Sequence, residues 1–172
     1  MSLMAEIQQK KSKIFPLMER VLFLKNVEMF KNIDTEKLMV IAGIAKDVAF
    51  SRGELISRQN DVGDALYIVR QGSLRVIREK GDQRTVLSIL GRGDCFGAWG
   101  LFGNHARSAT AEANEDTSLL MIRRPEFKEV LYEYPEITYN LLEIFSELLR
   151  KANSEISVLN HMLSDKHRKP LS

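Results

Sequence analysis

Six glycines, Gly43, Gly53, Gly63, Gly72, Gly81 and Gly91, recur about every ten residues through the middle of this 172-residue chain. Turn residues at that spacing leave room only for short segments, and short segments between tight turns predict antiparallel strands closing a sandwich or barrel. All ten glycines fall between Gly43 and Gly103, whereas the four prolines, Pro16, Pro125, Pro135 and Pro170, stand outside that window. The segments between turns are apolar or alternating: Asp47–Phe50, Glu54–Arg58, Ala65–Arg70, Ser73–Arg78, Arg84–Leu90 and, past the last glycine, Thr117–Ile122. In the fourth, Leu74 and Val76 share one face and Arg75 takes the other, as a half-buried strand requires.

The flanks carry a helical period instead. Asp34 is placed to cap a helix over Thr35–Ala45 whose apolar face is Leu38, Ile41, Ala42 and Ala45. Upstream, Leu17, Val21, Leu24 and Val27 predict a helix over Leu17–Phe30. Downstream, Pro125 suits the first turn of a helix over Pro125–Tyr134, and Pro135 ends it while opening a long helix to about Leu163. The chain thus divides into a helical segment over 1–45, strands over 46–124, helices over 125–163 and a flexible tail over 164–172.

Charge and chemistry narrow the functions. A formal net charge of +2 gives no global electrostatic case for nucleic acid, and the basic tail beginning at Asp165 reads as a solvated end. The single Cys95 supplies neither a disulfide nor a zinc cluster and fits a reducing compartment. No apolar run reaches the length of a membrane span, and the polar start lacks the apolar core of a signal peptide, so a cytoplasmic protein is expected. His105, His161 and His167 have no metal-ligand spacing, and no Walker-type loop or nucleophile elbow occurs, so neither a metal, a cofactor nor enzyme chemistry is expected.

One segment concentrates the remaining signal: Phe96-Gly97-Ala98-Trp99-Gly100-Leu101-Phe102, followed by Arg107-Ser108-Ala109-Thr110. It resembles the phosphate-binding cassette of the cyclic-nucleotide-binding domain family, which includes the catabolite activator protein and the regulatory subunit of protein kinase A. Gly63-Asp-Ala-Leu-Tyr-Ile-Val-x-x-Gly72 and Gly91-Arg-Gly-Asp94 resemble family strand and turn patterns, so the likeness extends over about Phe30 to Leu163. The resemblance implies a mainly β fold: a jelly-roll-like β-roll (a double-stranded β-helix) over 46–124 containing the cassette at 96–110, with N-terminal helices and a C-terminal helical lid. It also implies cyclic AMP or cyclic GMP as effector.

Physically, small residues at Gly97 and Gly100 permit a tight turn into a short helix whose first amides attract an anion. Arg107 supplies a planar, permanently charged fork for a phosphate and Ser108 a hydroxyl donor. By resemblance, Leu101 completes the cassette, Val76 and Leu87 form an apolar wall under the ligand, and Asn153 and Ser154 reach the base edge from the last helix. Where the family usually has a glutamate that accepts from the ribose 2′-hydroxyl, this chain has Ala98. Losing a charge-assisted hydrogen bond removes roughly 1.5–3 kcal/mol, about ten- to over a hundred-fold in affinity. Glu112 does not replace it, because its odd spacing from Arg107 puts it on the opposite strand face. Trp99, the only tryptophan, is expected to pack against the roll, with a base-stacking platform as the alternative, and its bulk narrows the ribose site.

Two readings follow. In one, the chain is a regulatory sensor that binds a cyclic nucleotide or similar phosphate-bearing ligand and passes the signal through its C-terminal helices to an effector protein. In the other it is a degenerate module that binds no nucleotide and acts by dimerisation or protein docking. Only Ser164–Ser172 follow the long helix, so no DNA-binding domain of the catabolite activator type is expected within this sequence. Leu141, Phe145, Leu148, Ala152, Ile156, Leu159 and Leu163 follow at spacings of 4, 3, 4, 4, 3 and 4, close to a coiled-coil seam, and predict a homodimer through that helix. The stretch from Leu141 to Leu148 is expected to pack on its own roll.

Overall fold

The computed structural model describes residues 16–167, with side chains as far as residue 163. The parts of the expected N-terminal segment and tail at 1–15 and 168–172 lie outside the described residues. Helix α1 (residues 16–24) leads through a 3-10 turn at Glu28–Phe30 to α2 (Thr35–Ile44). Five strands follow: β1 (Lys46–Phe50), β2 (Leu55–Ser57), β3 (Ala65–Gln71), β4 (Leu74–Lys80) and β5 (Gln83–Leu90). Then come β6 (Cys95–Phe96), α3 (Trp99–Phe102), β7 (Thr110–Ala113), β8 (Thr117–Arg123), α4 (Arg124–Glu133) and α5 (Pro135–His167).

The eight strands form two antiparallel four-stranded sheets, ordered β1-β8-β3-β6 and β2-β7-β4-β5. Their facing sides enclose a small core of Val69, Leu74, Phe96, Ala111 and Leu119. The outer side of the first sheet carries a larger core, where Leu66, Ile68, Leu120 and Ile122 meet Leu24, Phe30, Ile41, Phe127 and Leu141 from the helices. β3 is therefore apolar on both faces, which is why its sequence runs Ala-Leu-Tyr-Ile-Val without alternation. The molecule is an antiparallel β-roll with flanking helices, as the glycine rhythm and the resemblance predict.

Local differences have local causes. The upstream helix stops at residue 24, because Asn26 Nδ2 donates to the Leu22 carbonyl at 2.8 Å and the next amides fold into shorter i−3 bonds. Gly43 marks no turn and lies in the last turn of α2, whose N-terminus is capped as expected by Asp34 Oδ1 accepting from Lys37 N at 3.0 Å. The second and fifth expected strands shift by a residue at their ends, to Leu55–Ser57 and Gln83–Leu90. β6, with only two residues, is not among the expected strands, and β7, Thr-Ala-Glu-Ala, with little strand propensity, enters the sequence reading only through the strand parity of Glu112. β7 is held by its position between β2 and β4, buried along its whole length.

α5 continues to His167, past the expected end at Leu163 and into the segment expected to be a flexible tail. At 1.5 Å per residue it is about 50 Å long. Ile137, Leu141 and Ile144 are buried and Phe145 half-buried, but Leu148 is already exposed, so the helix leaves the body about one turn earlier than the stripe suggested.

Candidate functional site

The site begins at the join of β6 and α3. Gly97 has φ +83°, a left-handed conformation that turns the chain sharply out of β6. After α3, residues 103–108 return along the segment 60–63. Arg107 N donates to the Asp61 carbonyl at 2.8 Å, Asn60 N donates to the Arg107 carbonyl at 2.9 Å, and Val62 bridges Ala106. Both backbone groups of Arg107 are therefore fixed, and its side chain has one direction to take.

It runs inward. Arg107 is only 7% exposed, with its guanidinium 5.4 Å from the centroid of the Phe96 ring and 5.9 Å from that of Tyr67, both within cation–π range. Nη2 donates to the Ala65 carbonyl at 2.7 Å. Three glycines make the room: a Cβ on Gly63 would lie 2.6 Å from Arg107 Nε, one on Gly100 3.3 Å from Nη1, and one on Gly97 would overlap the guanidinium outright. The rhythm assigned Gly63 only to a turn, and its close approach to Arg107 carried no signal in sequence.

No carboxylate neutralises this cation among the described residues. Asp64 acts on it from a distance while paired with Arg123 at 3.5 Å. Burial accordingly lowers the Arg107 pKa from its ordinary value, with Tyr67 and Asp64 opposing the shift. Burial likewise raises the Tyr67 phenol, against the pull of the Arg107 charge. A desolvated charge without a counter-ion is costly, and an incoming anion removes that cost.

Arg107 faces a cleft of about 650 Å³ between the cassette and the β4–β5 hairpin. Of the residues proposed from sequence, Val76, Gly97, Ala98, Gly100, Arg107 and Ser108 line it. Four others lie elsewhere. Leu101 is 4% exposed and belongs to the helix-side core beneath α3. Leu87 is displaced by a bulge: Val76 pairs Ser88 and Ile77 pairs Val86, so Leu87 drops out of the ladder and is 45% exposed away from the cleft. Ser88 and Leu90 line the wall in its place. Asn153 and Ser154 are exposed on α5, beyond the part that packs on the body.

Trp99 corrects the expectation of packing against the roll: it is 73% exposed and stands in the cleft lining beside Ala98 and His105. The amides of Gly100 and Leu101 bond back to Gly97 and Ala98 at 2.9 and 3.0 Å, so attraction for an anion rests chiefly on Arg107. Cys95 also lines the cleft, but burial first and the Asp94 charge second push its thiol up to about 12, leaving it neutral. Glu112 faces away, held by Arg75 and, at 3.0 Å, by Arg84.

Comparison with known proteins agrees with this geometry. The profile of the cyclic nucleotide-binding domain matches residues 47–134, half of the chain. A cyclic AMP receptor protein of Thermus thermophilus is 31% identical over 138 residues, 80% of this chain and 64% of the relative. A cGMP-dependent protein kinase of Drosophila melanogaster is 30% identical over 142 residues, 80% of this chain and 15% of the kinase. The chain thus spans less than two thirds of either curated relative. Among solved structures, the N-terminal domain of a transcriptional regulator from Streptomyces coelicolor superposes with a TM-score of 0.71 at 27% identity, covering 78% of this chain and 94% of that one. With the cassette, the roll and the matched profile coinciding on the same residues, this chain belongs to the cyclic nucleotide-binding domain family.

Proposed function

We propose that the chain is a non-catalytic, cytoplasmic sensor in which Arg107 receives the phosphate of a cyclic nucleotide and the helices after the roll report its arrival to an effector protein. The observation that carries this reading is an arginine only 7% exposed, lining a cleft, with no carboxylate partner among the described residues. In this reading Gly97, Ala98, Gly100 and Ser108 form the anion end and Val76 the apolar wall. Leu87, Leu101, Asn153 and Ser154 would serve only after the hairpin, α3 or α5 moved.

Transmission has a physical path. Phe102, at the end of α3, meets the rings of Phe145 and Phe127 edge-on at 5.3 and 6.2 Å. Arg124 at the start of α4 donates to the Gly103 carbonyl at 2.7 Å and to Asn104 Oδ1 at 3.1 Å. A shift of the cassette therefore acts on both C-terminal helices, and a ligand favours one helix arrangement only as far as it contacts the two differently. Calorimetry with cyclic AMP and cyclic GMP tests the reading. Saturable heat with either supports it, and no heat at millimolar nucleotide refutes it.

The interaction-module reading is favoured by a separate observation: Ile156 and Leu159 on the far part of α5 are 55% and 58% exposed. That stripe suits a second α5 in a homodimer. Light scattering on the full chain and on a version ending at Ala152 distinguishes the cases. A full-length monomer at tens of micromolar removes the seam, and a dimer surviving truncation puts the interface elsewhere.

A further inference from the structure

Trp99 presents a problem that anion binding leaves unsolved. It is the only tryptophan of the chain and is 73% exposed at the mouth of the cleft, although a buried position for it would have been favourable. The cleft lining contains no aspartate or glutamate, so a sugar hydroxyl entering it meets no charged acceptor. Its apolar surface is chiefly Val76, Leu90 and Phe96, its polar side chains are Ser88, His105 and Ser108, and its charge is Arg107. A ligand held there has a strong point for a phosphate, an apolar wall and one broad π face, and for a hydroxyl no carboxylate.

We propose that Trp99 is the specificity-determining residue of the cleft, stacking on the flat heteroaromatic ring of a phosphate-bearing ligand, so that ring and phosphate are recognised and the sugar 2′-hydroxyl is not. The inference rests on the reading that Arg107 takes a phosphate. It reassigns discrimination from a carboxylate contact, which Ala98 lacks, to a stacking contact, which tolerates a change at the sugar. Base-on-aromatic stacking contributes enough that its loss weakens binding by about ten-fold or more.

The test uses three probes, cyclic AMP, its 2′-deoxy analogue and inorganic phosphate, against the full chain and Trp99→Leu, which keeps apolar bulk and removes the π face. The two nucleotides should bind the unaltered chain within about two-fold of each other and quench its single tryptophan, which phosphate alone should not. Trp99→Leu should weaken both nucleotides about ten-fold or more and leave phosphate affinity unchanged. A deoxy analogue ten-fold weaker than cyclic AMP, unchanged nucleotide affinity in Trp99→Leu, or a change in oligomeric state caused by that substitution overturns the assignment. Phosphate binding with no tighter nucleotide binding overturns Trp99 alone and leaves Arg107 as an anion site. Failure of all three probes overturns both.

Discussion

Arg107 and Glu112 lie five residues apart on neighbouring stretches of chain and are almost equally hidden, 7% and 8% exposed, yet their surroundings are opposite. Glu112, on β7, is held by Arg75 of β4 and Arg84 of β5, whose side chains are 36% and 55% exposed. Its charge is matched inside the protein by partners that stay in touch with water. Arg107 has a backbone carbonyl, two aromatic rings and three glycines, and no opposing charge among the described residues. A matched charge of this kind ties strands together, whereas an unmatched one costs stability and is retained where something else supplies the counter-charge. The difference separates a structural ion cluster from a receptive site without reference to any relative.

The comparison breaks most decisively at Arg107. Arg107→Met keeps a long apolar side chain between Tyr67 and Phe96 and removes the charge. It should lower cyclic nucleotide affinity by about a hundred-fold or more. Because the lost charge was unmatched, the melting temperature without ligand should stay within about 4 °C. Calorimetry and a thermal melt check both halves. A variant that unfolds without ligand would place Arg107 in the same class as Glu112.

Glu112→Gln should show the reverse, a loss of about 2 kcal/mol in denaturant unfolding with nucleotide affinity unchanged. Burial alone would raise the Glu112 pKa, but Arg84 and Arg75 outweigh it and hold the carboxyl below its ordinary value of 4.5. A carboxyl lowered on folding contributes stability that is complete above that value and is lost as pH falls through the lower folded one. The unaltered protein should therefore lose stability below about pH 4.5 more steeply than Glu112→Gln. Coincident pH profiles would mean that the two arginines do not bind the carboxylate in solution.

The smallest expected effect sharpens the contrast at the cleft itself. Ala98→Glu would introduce the charged acceptor that the lining lacks. Ala98 is half-buried against the helix-side core, which leaves the cleft as the direction for a longer side chain. Cyclic AMP should then bind about ten-fold tighter, and its 2′-deoxy analogue should fall behind by the same factor. Equal gains for both nucleotides would show that the new carboxylate does not meet the sugar.

The sequence made some of this contrast legible and hid the rest for identifiable reasons. Parity put Glu112 on the face opposite Arg107 and the structure agrees, although β7 begins only at Thr110 and Arg107 stands before it, outside the ladder. The resemblance that put Leu87 in the apolar wall failed, because a bulge takes that residue out of the ladder, and no residue type in Val86-Leu87-Ser88 announces the bulge. Arg107 was recognisable from its setting in the cassette, but its burial was not, since an arginine's ordinary place is in water. Trp99 went the other way, because an apolar residue is read as core unless a cleft is known to lie beside it. The long helix was visible from Pro135 onward, while the point at which it leaves the body depends on where the roll ends in space.

The three glycines around Arg107 have a consequence for how such a site is lost. Gly63 comes from one part of the chain and Gly97 and Gly100 from the cassette, none offers a side chain to a ligand, and each leaves out a methyl group that would crowd the guanidinium or the backbone beside it. An alanine at Gly63 or Gly97 forces Arg107 to move, and one at Gly100 presses on the Gly63 carbonyl beside it, so the position of the charge is inherited from atoms that are missing. Among descendants of this chain, an intact Arg107 is therefore no guarantee of a working cleft, and silencing is as easily written in the glycines as in the arginine.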